Sequence, residues 1–82
     1  MLYEFLWDDD PADGNVAHLA EHDLTPADVE HAFRNVIRDT TSRSSGRPAL
    51  FGLTPDDRVI FVVYEEVAEG LIYVFTSFEC QE

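Results

Sequence analysis

The sequence predicts an α+β fold, an antiparallel β-sheet with two N-terminal helices packed on one face, in the order β-α-α-β-β-β. Residues 57–64 and 71–78 are rich in β-branched and aromatic side chains and are joined by an acidic loop ending in Gly70, which is typical of a long hairpin. Residues 25–37 repeat apolar side chains at helical spacing. A chain of 82 residues has room for one core, so we expect a single domain over residues 1–82.

The N-terminal segment predicts a short strand followed by a short helix. Residues 2–7 are apolar and aromatic, and the acidic run that follows them ends the strand. Asp10 is predicted to cap the first helix, because the next residue, Pro11, fits the first helical position. Val16, Leu19 and Ala20 recur at helical spacing, and the helix is expected to end near residue 23.

A second helix is predicted to begin at Thr25. Its side chain can cap the helix, Pro26 fits the first position, and Asp28 stands where a reciprocal capping carboxylate is found. The predicted buried stripe consists of Val29, Ala32, Phe33, Val36 and Ile37. The opposite, solvent-facing side would carry His31, Arg34 and Arg38.

The remaining chain predicts strands joined by turns. Residues 38–43 suit an edge strand or an extended return, residues 44–46 a turn, residues 48–54 a further strand and residues 55–57 a tight turn into the central hairpin. Neither hairpin strand alternates apolar with polar residues, so both faces of the hairpin are apolar. Because two helices cover only one face, we expect a second copy or a partner's helix to bury the other.

The net charge of -12 comes from 17 acidic residues against five arginines, with no lysine. Residues 1–33 hold nine acids and no arginine, residues 34–58 hold all five arginines with three acids, and residues 59–82 hold five acids. Such a surface repels nucleic acid and acidic membranes at long range and favours a basic partner. The arginines either neutralise a self-repelling surface or form a local anion site.

Cysteine usage and hydropathy predict a cytoplasmic protein. Cys80 is the only cysteine, so no internal disulfide can form. The first residues lack the basic stretch of a signal peptide, and the longest apolar run, residues 59–64, is far shorter than a membrane span. No cofactor is indicated.

Two short motifs could bind a ligand, although each has a simpler interpretation. His18 and His22 are spaced i, i+4 like a zinc pair, but no third ligand follows at matching spacing, so we predict solvated histidines and no metal. Arg43 and Arg47 flank a Ser-Ser-Gly turn whose amides and guanidinium groups could hold an anion. An exposed turn with flanking arginines explains the same residues.

Four segments, taken in order, carry a family resemblance. They are Phe5-Leu6-Trp7-Asp8, Glu21-His22-Asp23-Leu24-Thr25, Gly52-Leu53-Thr54 and Val59-Ile60-Phe61-Val62-Val63-Tyr64. They resemble the opening, the helix junction, the strand end and the closing hairpin of the BrnT family of small type II toxins, which are ribonucleases of the RelE-like fold. The resemblance spans almost the whole chain and implies a RelE-like architecture.

The resemblance also implies which residues would contact RNA, and several of these are replaced. Glu21 stands where the family has lysine, Asp23 where it has glycine, and residues 76–79 where it has Ser-Ala-Arg-Arg. His22, a candidate catalytic residue, and Arg58 persist. The candidate anion or RNA contacts are Arg34, Arg43, Arg47 and Arg58.

These departures favour a non-catalytic BrnT-like domain that acts through protein–protein contacts, as a homodimer or with a basic, antitoxin-like partner. RNA affinity comes mainly from phosphate neutralisation, and this chain has lost the cations that would supply it. The alternative is a ribonuclease toxin of a type II toxin–antitoxin system, in which residues 34–58 hold RNA and His22 serves as acid or base. A third hypothesis is a small-anion sensor built on the turn between Arg43 and Arg47.

Overall fold

The computed structural model describes residues 3–80 and confirms the α+β class and the order of the elements. The elements are β1 (Glu4–Leu6), α1 (Asn15–Glu21), α2 (Pro26–Arg34), β2 (Val36–Thr41), β3 (Pro48–Leu53), β4 (Val59–Ala68) and β5 (Leu71–Glu79). The strands form one sheet in the order β1-β5-β4-β3-β2. β1 runs parallel to β5 while the other neighbours are antiparallel, so the sheet is mixed. Leu2, predicted in the first strand, lies outside the described residues.

Both helices pack on one face of the sheet, as predicted, and the core lies between them and the strands. Its side chains come from both helices, from the loop that joins them and from the three central strands: Leu19, Leu24, Val29, Ala32, Phe33, Leu50, Ile60, Val62, Ile72 and Val74. We call the other side of the sheet the open face, because neither helix covers it. Neither helix within residues 3–80 is long and apolar enough to cross a membrane.

The start of α2 follows the sequence prediction. The Thr25 amide donates a hydrogen bond to Asp28 Oδ2 at 2.9 Å, and the Asp28 amide donates to Thr25 Oγ1 at 3.2 Å, so the reciprocal capping box is formed. Each bond satisfies an amide that has no partner within the helix. Of the predicted stripe, Val29, Ala32 and Phe33 are buried against the sheet.

The predicted continuation of α2 to residue 37 is wrong. The helix ends at Arg34, and Val36 and Ile37 belong to β2, where they are 41% and 54% exposed. The Leu53 amide donates to the carbonyl of Asn35 at 3.1 Å, so β3 pairs with the chain directly after the helix. Two β-branched residues favour this extended conformation over another helical turn. Arg38 therefore lies on an edge strand instead of a helix face.

The predicted start of α1 is also wrong. The helix begins at Asn15 with Gly14 as its N-cap, while Asp10 caps the preceding turn by accepting the amides of Ala12 at 2.8 Å and Asp13 at 3.2 Å. These two backbone hydrogen bonds lower the pKa of the Asp10 carboxyl below its usual value. A short Asp side chain bonds the backbone two and three residues on as readily as it caps a helix.

The central hairpin is present, but its loop is shorter than predicted. Residues 65–68, expected in the loop, extend β4 to Ala68, and the turn contains only Glu69 and Gly70. Gly70 has a φ of +75°, a left-handed conformation that glycine adopts without steric cost. The other tight turn, at residues 55–57, is confirmed, because the Thr54 amide donates to the carbonyl of Arg58 across it at 2.9 Å.

A buried asparagine joins the short parallel strand to the rest of the sheet. Asn15 is 2% exposed, and its Nδ2 donates to the carbonyls of Leu6 at 3.0 Å and Val74 at 3.2 Å. Its Oδ1 accepts the Asp8 amide at 2.8 Å. The β1–β5 pairing ends at Leu6, so this side chain supplies hydrogen bonds where the two strands separate.

Helix α2 approaches the sheet closely at Gly52 on β3. A Cβ atom added there would lie 2.5 Å from the carbonyl oxygen of Ala32 and 2.8 Å from its Cβ. No real Cβ occupies such a position, so glycine is required for α2 to rest on β3 at this distance.

We expect Gly52→Ala to lower the free energy of unfolding by about 1–3 kcal/mol, because α2 must move away from the sheet. Urea unfolding of the two proteins measures the difference. Gly46→Ala is the control: its added Cβ meets nothing within 4 Å, and only its φ of +74° opposes the change, at a cost of about 1 kcal/mol. A smaller loss for Gly52→Ala than for Gly46→Ala would contradict the close packing.

Candidate binding face

The open face carries a row of phenylalanine side chains across its three central strands. Phe51 on β3 lies opposite Phe61 on β4, and Phe61 lies opposite Phe78 on β5. Their ring centroids are 4.9 and 5.4 Å apart, and the rings are tilted by 53° and 43°. Directly opposed aromatic pairs stabilise a sheet, so the row has a structural role as well as an exposed surface.

These rings form the floor of a cavity of about 470 Å³, a volume within the range of ligand sites. Val63 completes the floor beside Phe51, Phe61 and Phe78. The row is incompletely buried: Phe51 and Phe61 are half-buried, and Phe78 is 40% exposed. The predicted second apolar face is therefore present, and within residues 3–80 no helix covers it.

The rim of this cavity comes from β2 and the turn that follows it. Its members are Arg38, Thr40, Thr41, Ser42, Arg43 and Ser44. Arg38 lies opposite Phe51 in the strand register, and its guanidinium carbon is 5.1 Å from the ring centroid, a cation–π contact. Among residues 3–80 the lining therefore includes two arginines and no Asp, Glu or His, although the chain has 17 acidic residues.

Of the predicted anion contacts, only Arg43 lines this cavity. Arg34 is the exposed last residue of α2 and is not part of the lining. Arg47 lies over the ring of Phe75, 4.0 Å from its centroid, with its Nε 4.0 Å from Glu65 Oε1. That separation is too long for a hydrogen bond, so the ion pair is loose and the ring contact is the better defined.

The fourth predicted contact, Arg58, is occupied by ion pairs. Its Nε is 3.0 Å from Asp56 Oδ2, Nη2 is 3.6 Å from Asp28 Oδ2, and Nη1 is 3.6 Å from Glu79 Oε1. Nη1 also donates to the carbonyl of Asp23 at 3.2 Å. The hydrogen bond to Asp56, followed by attraction to the other carboxylates, raises the pKa of the guanidinium. Arg58 thus links four segments of the fold instead of offering a free cation.

Asp56 is held in this cluster from two sides. Thr54 is fully buried, and its hydroxyl donates to Asp56 Oδ1 while accepting the Arg58 amide at 2.9 Å. The Thr54 hydrogen bond, followed by that of Arg58, lowers the pKa of the Asp56 carboxyl. The turn between β3 and β4 is therefore stabilised by the ionised form of Asp56.

The predicted catalytic residue, His22, lies next to the cavity but does not line it. It is the exposed C-cap of α1, and its ring centroid is 6.3 Å from that of Phe78. His18 is also exposed, with Nδ1 3.5 Å from Glu21 Oε2. Across residues 3–80, no group of three or more His, Cys, Asp or Glu side chains is arranged to hold a metal ion.

The sequence prediction did not select Arg38 as a site residue, because it counted this residue on the solvent-facing side of the second helix as well as at the start of the edge strand. The signal was present in the residues that follow, since Thr40 and Thr41 favour a strand, and alternation places Arg38 and Thr40 on the same face. The comparisons with known proteins add no assignment: no protein-family model, curated protein or solved structure matches the chain.

We expect acid to destabilise the protein partly through Asp56. A carboxyl whose pKa is lowered by folding stabilises the native state above its unfolded pKa, and that contribution is lost as pH falls from about 5, through the ordinary value of 3.8 and on through the lower pKa of the folded state. Asp56→Asn should therefore give a shallower fall in melting temperature over this range than the wild type. Asp9→Asn, an exposed position, controls for the altered net charge. Equal slopes for wild type and Asp56→Asn would contradict the assignment.

Proposed function

We propose that the chain is a single BrnT-like domain that acts through protein–protein contacts and is not catalytic. The observation that carries the proposal is the composition of the cavity on the open face. Its aromatic floor and two arginines can bind a partner, but no lining residue is a histidine, carboxylate or lysine that could transfer a proton. Ser42 and Ser44 lack the neighbouring base that would activate a hydroxyl.

The electrostatics favour protein over RNA as the partner. RNA cleavage requires cations around the scissile phosphate, and RNA affinity grows with the number of phosphates neutralised. Arg58, which the resemblance implies as an RNA contact, is paired with three carboxylates, and the net charge is -12. A polyanion extending beyond the cavity would meet this acidic surface.

The second candidate function is a ribonuclease toxin of a type II toxin–antitoxin system. The BrnT resemblance motivates it, and one observation favours it: His22 packs against Phe78, which lines the same cavity as Arg38 and Arg43. An RNA strand lying across the phenylalanine row could place a phosphate within reach of both His22 and the two arginines of the cavity. Expression in a bacterial host separates the two functions.

We expect induced expression of the wild-type chain to leave growth and total RNA unchanged, because the cavity holds no acid–base pair. Growth curves and RNA electrophoresis from the same cultures measure this. His22→Ala and Arg43→Ala should behave like the wild type, with Arg34→Ala as an arginine control outside the cavity. Circular dichroism of protein purified from these cells verifies that it is folded. Growth arrest with RNA cleavage, abolished by His22→Ala, would establish the ribonuclease instead.

A further inference from the structure

We propose that the cavity on the open face binds an acidic segment of a partner protein that also carries an aromatic side chain. The carboxylate would pair with Arg38 and Arg43, and the aromatic ring would pack on the phenylalanine floor. This inference rests on the proposed function and deepens it by naming the chemistry of the partner at this face.

The charges around the cavity select an anion. In the part of the chain that the structure describes, its two arginines have no carboxylate beside them in the lining, whereas Arg58 has three ion-pair partners and Arg47 faces Glu65. The Arg38 guanidinium lies over the Phe51 ring, and a guanidinium placed on a ring can also donate to a carboxylate. Paired hydrogen bonds from a guanidinium to a carboxylate are stronger than neutral ones.

The floor selects an aromatic or large apolar group. Phe51, Phe61 and Phe78 present ring surface from three adjacent strands, and their mutual tilts leave ring edges and faces available to a further ring. An inorganic anion would satisfy the arginines but leave this surface in water. A neutral aromatic ring would leave the arginines without a counter-charge.

The free edge of β2 favours a peptide as the source of these groups. β2 is the last strand of the sheet, with β3 its only neighbour among the described residues, and it contributes Arg38, Thr40 and Thr41 to the rim. An extended segment beside β2 can bond with its backbone edge while its side chains reach the cavity, which is a common mode of peptide recognition. Such pairing also protects an edge strand that would otherwise be open to aggregation.

Two other occupants fit these charges less well. A two-fold dimer would pair this patch with the same patch of a second copy, and within residues 3–80 the lining of neither copy offers a carboxylate to the arginines of the other. RNA carries a charge at every nucleotide, and two cavity arginines neutralise few of them. A peptide with one or two carboxylates combines ion pairing with apolar contact and places little charge on the surrounding acidic surface.

The test is a titration of ¹⁵N-labelled protein with end-blocked Gly-Asp-Phe-Asp-Gly, followed by NMR. We expect saturable shifts of the β2 amides and of Phe51, Phe61 and Phe78, with a Kd of about 1 mM, typical of weak binding. Gly-Asn-Phe-Asn-Gly lacks the carboxylates, and Gly-Asp-Ala-Asp-Gly lacks the aromatic ring. Each should therefore bind roughly tenfold more weakly, a loss of about 1.4 kcal/mol.

Arginine variants show whether the cavity is the site. Arg38→Gln and Arg43→Gln should each weaken the Asp-Phe-Asp peptide, whereas Arg34→Gln, an exposed arginine outside the cavity, should not. Equal binding of all three peptides, no binding at all, or tighter binding of oligouridylate at these residues would overturn the inference. Shifts of the same residues that depend on protein concentration alone would assign the face to a second copy. None of these outcomes depends on RNA cleavage. A failure of the peptide-binding inference can therefore be distinguished from a failure of the proposal that the chain is not catalytic.

Discussion

The packing of α2 on β3 at Gly52 determines which side of the sheet is buried in the core and which side remains accessible to a partner. Because Gly52 has no Cβ, the backbone of Ala32 comes into direct contact with the strand, and the core residues of the helix reach the central strands. Both helices pack on this face, so neither covers the other side of the sheet. The opposite side is left with its aromatic row half-exposed, so a surface that can bind follows from how the core is built. Apolar area of this kind is a frequent mark of an interaction site.

The arginines of this chain have different roles in the structure. Arg58 joins the loop between the helices, the start of α2, the turn between β3 and β4, and the end of β5. Arg47 lies on Phe75 near Glu65, and only Arg38 and Arg43 line the cavity. The net charge of -12 therefore describes the long-range field, whereas the described lining of the cavity on the open face contains two arginines and no carboxylate. A partner of this face would have to complement the two arginines without bringing many negative charges near the acidic surface, which favours a segment with few charges over a polyanion.

Much of the fold could be predicted because its signals are local. The capping residues Thr25 and Asp28 and the hairpin runs act within a few residues or through simple periodicity. The end of α2 could not be predicted in this way, since Val36 and Ile37 continue the helical spacing and only pairing with β3 places them in a strand. The predicted helical stripe thus ran into β2, and Arg38 was counted on the helix as well as on the edge strand.

Other features depend on residues far apart in the sequence. Asn15 bonds the carbonyls of Leu6 and Val74, and no local pattern distinguishes it from an exposed asparagine at a helix start. Arg58 reads as a free cation until the fold brings Asp28 and Glu79 to it. The candidate site was thus predictable in kind, as arginines within an acidic chain and an uncovered aromatic face, but of its two arginines only Arg43 was predicted.

The most direct test of the central claim, that the phenylalanine row is an open surface, is the relaxation of ring protons by a neutral gadolinium chelate in solution. The structure predicts faster relaxation for Phe51, Phe61 and Phe78 than for the methyl groups of Leu50 and Ile60, which are at most 2% exposed. If the three rings were as protected as those core methyl groups, a second copy or another part of the chain would cover the face. The open face would then not be a free binding surface.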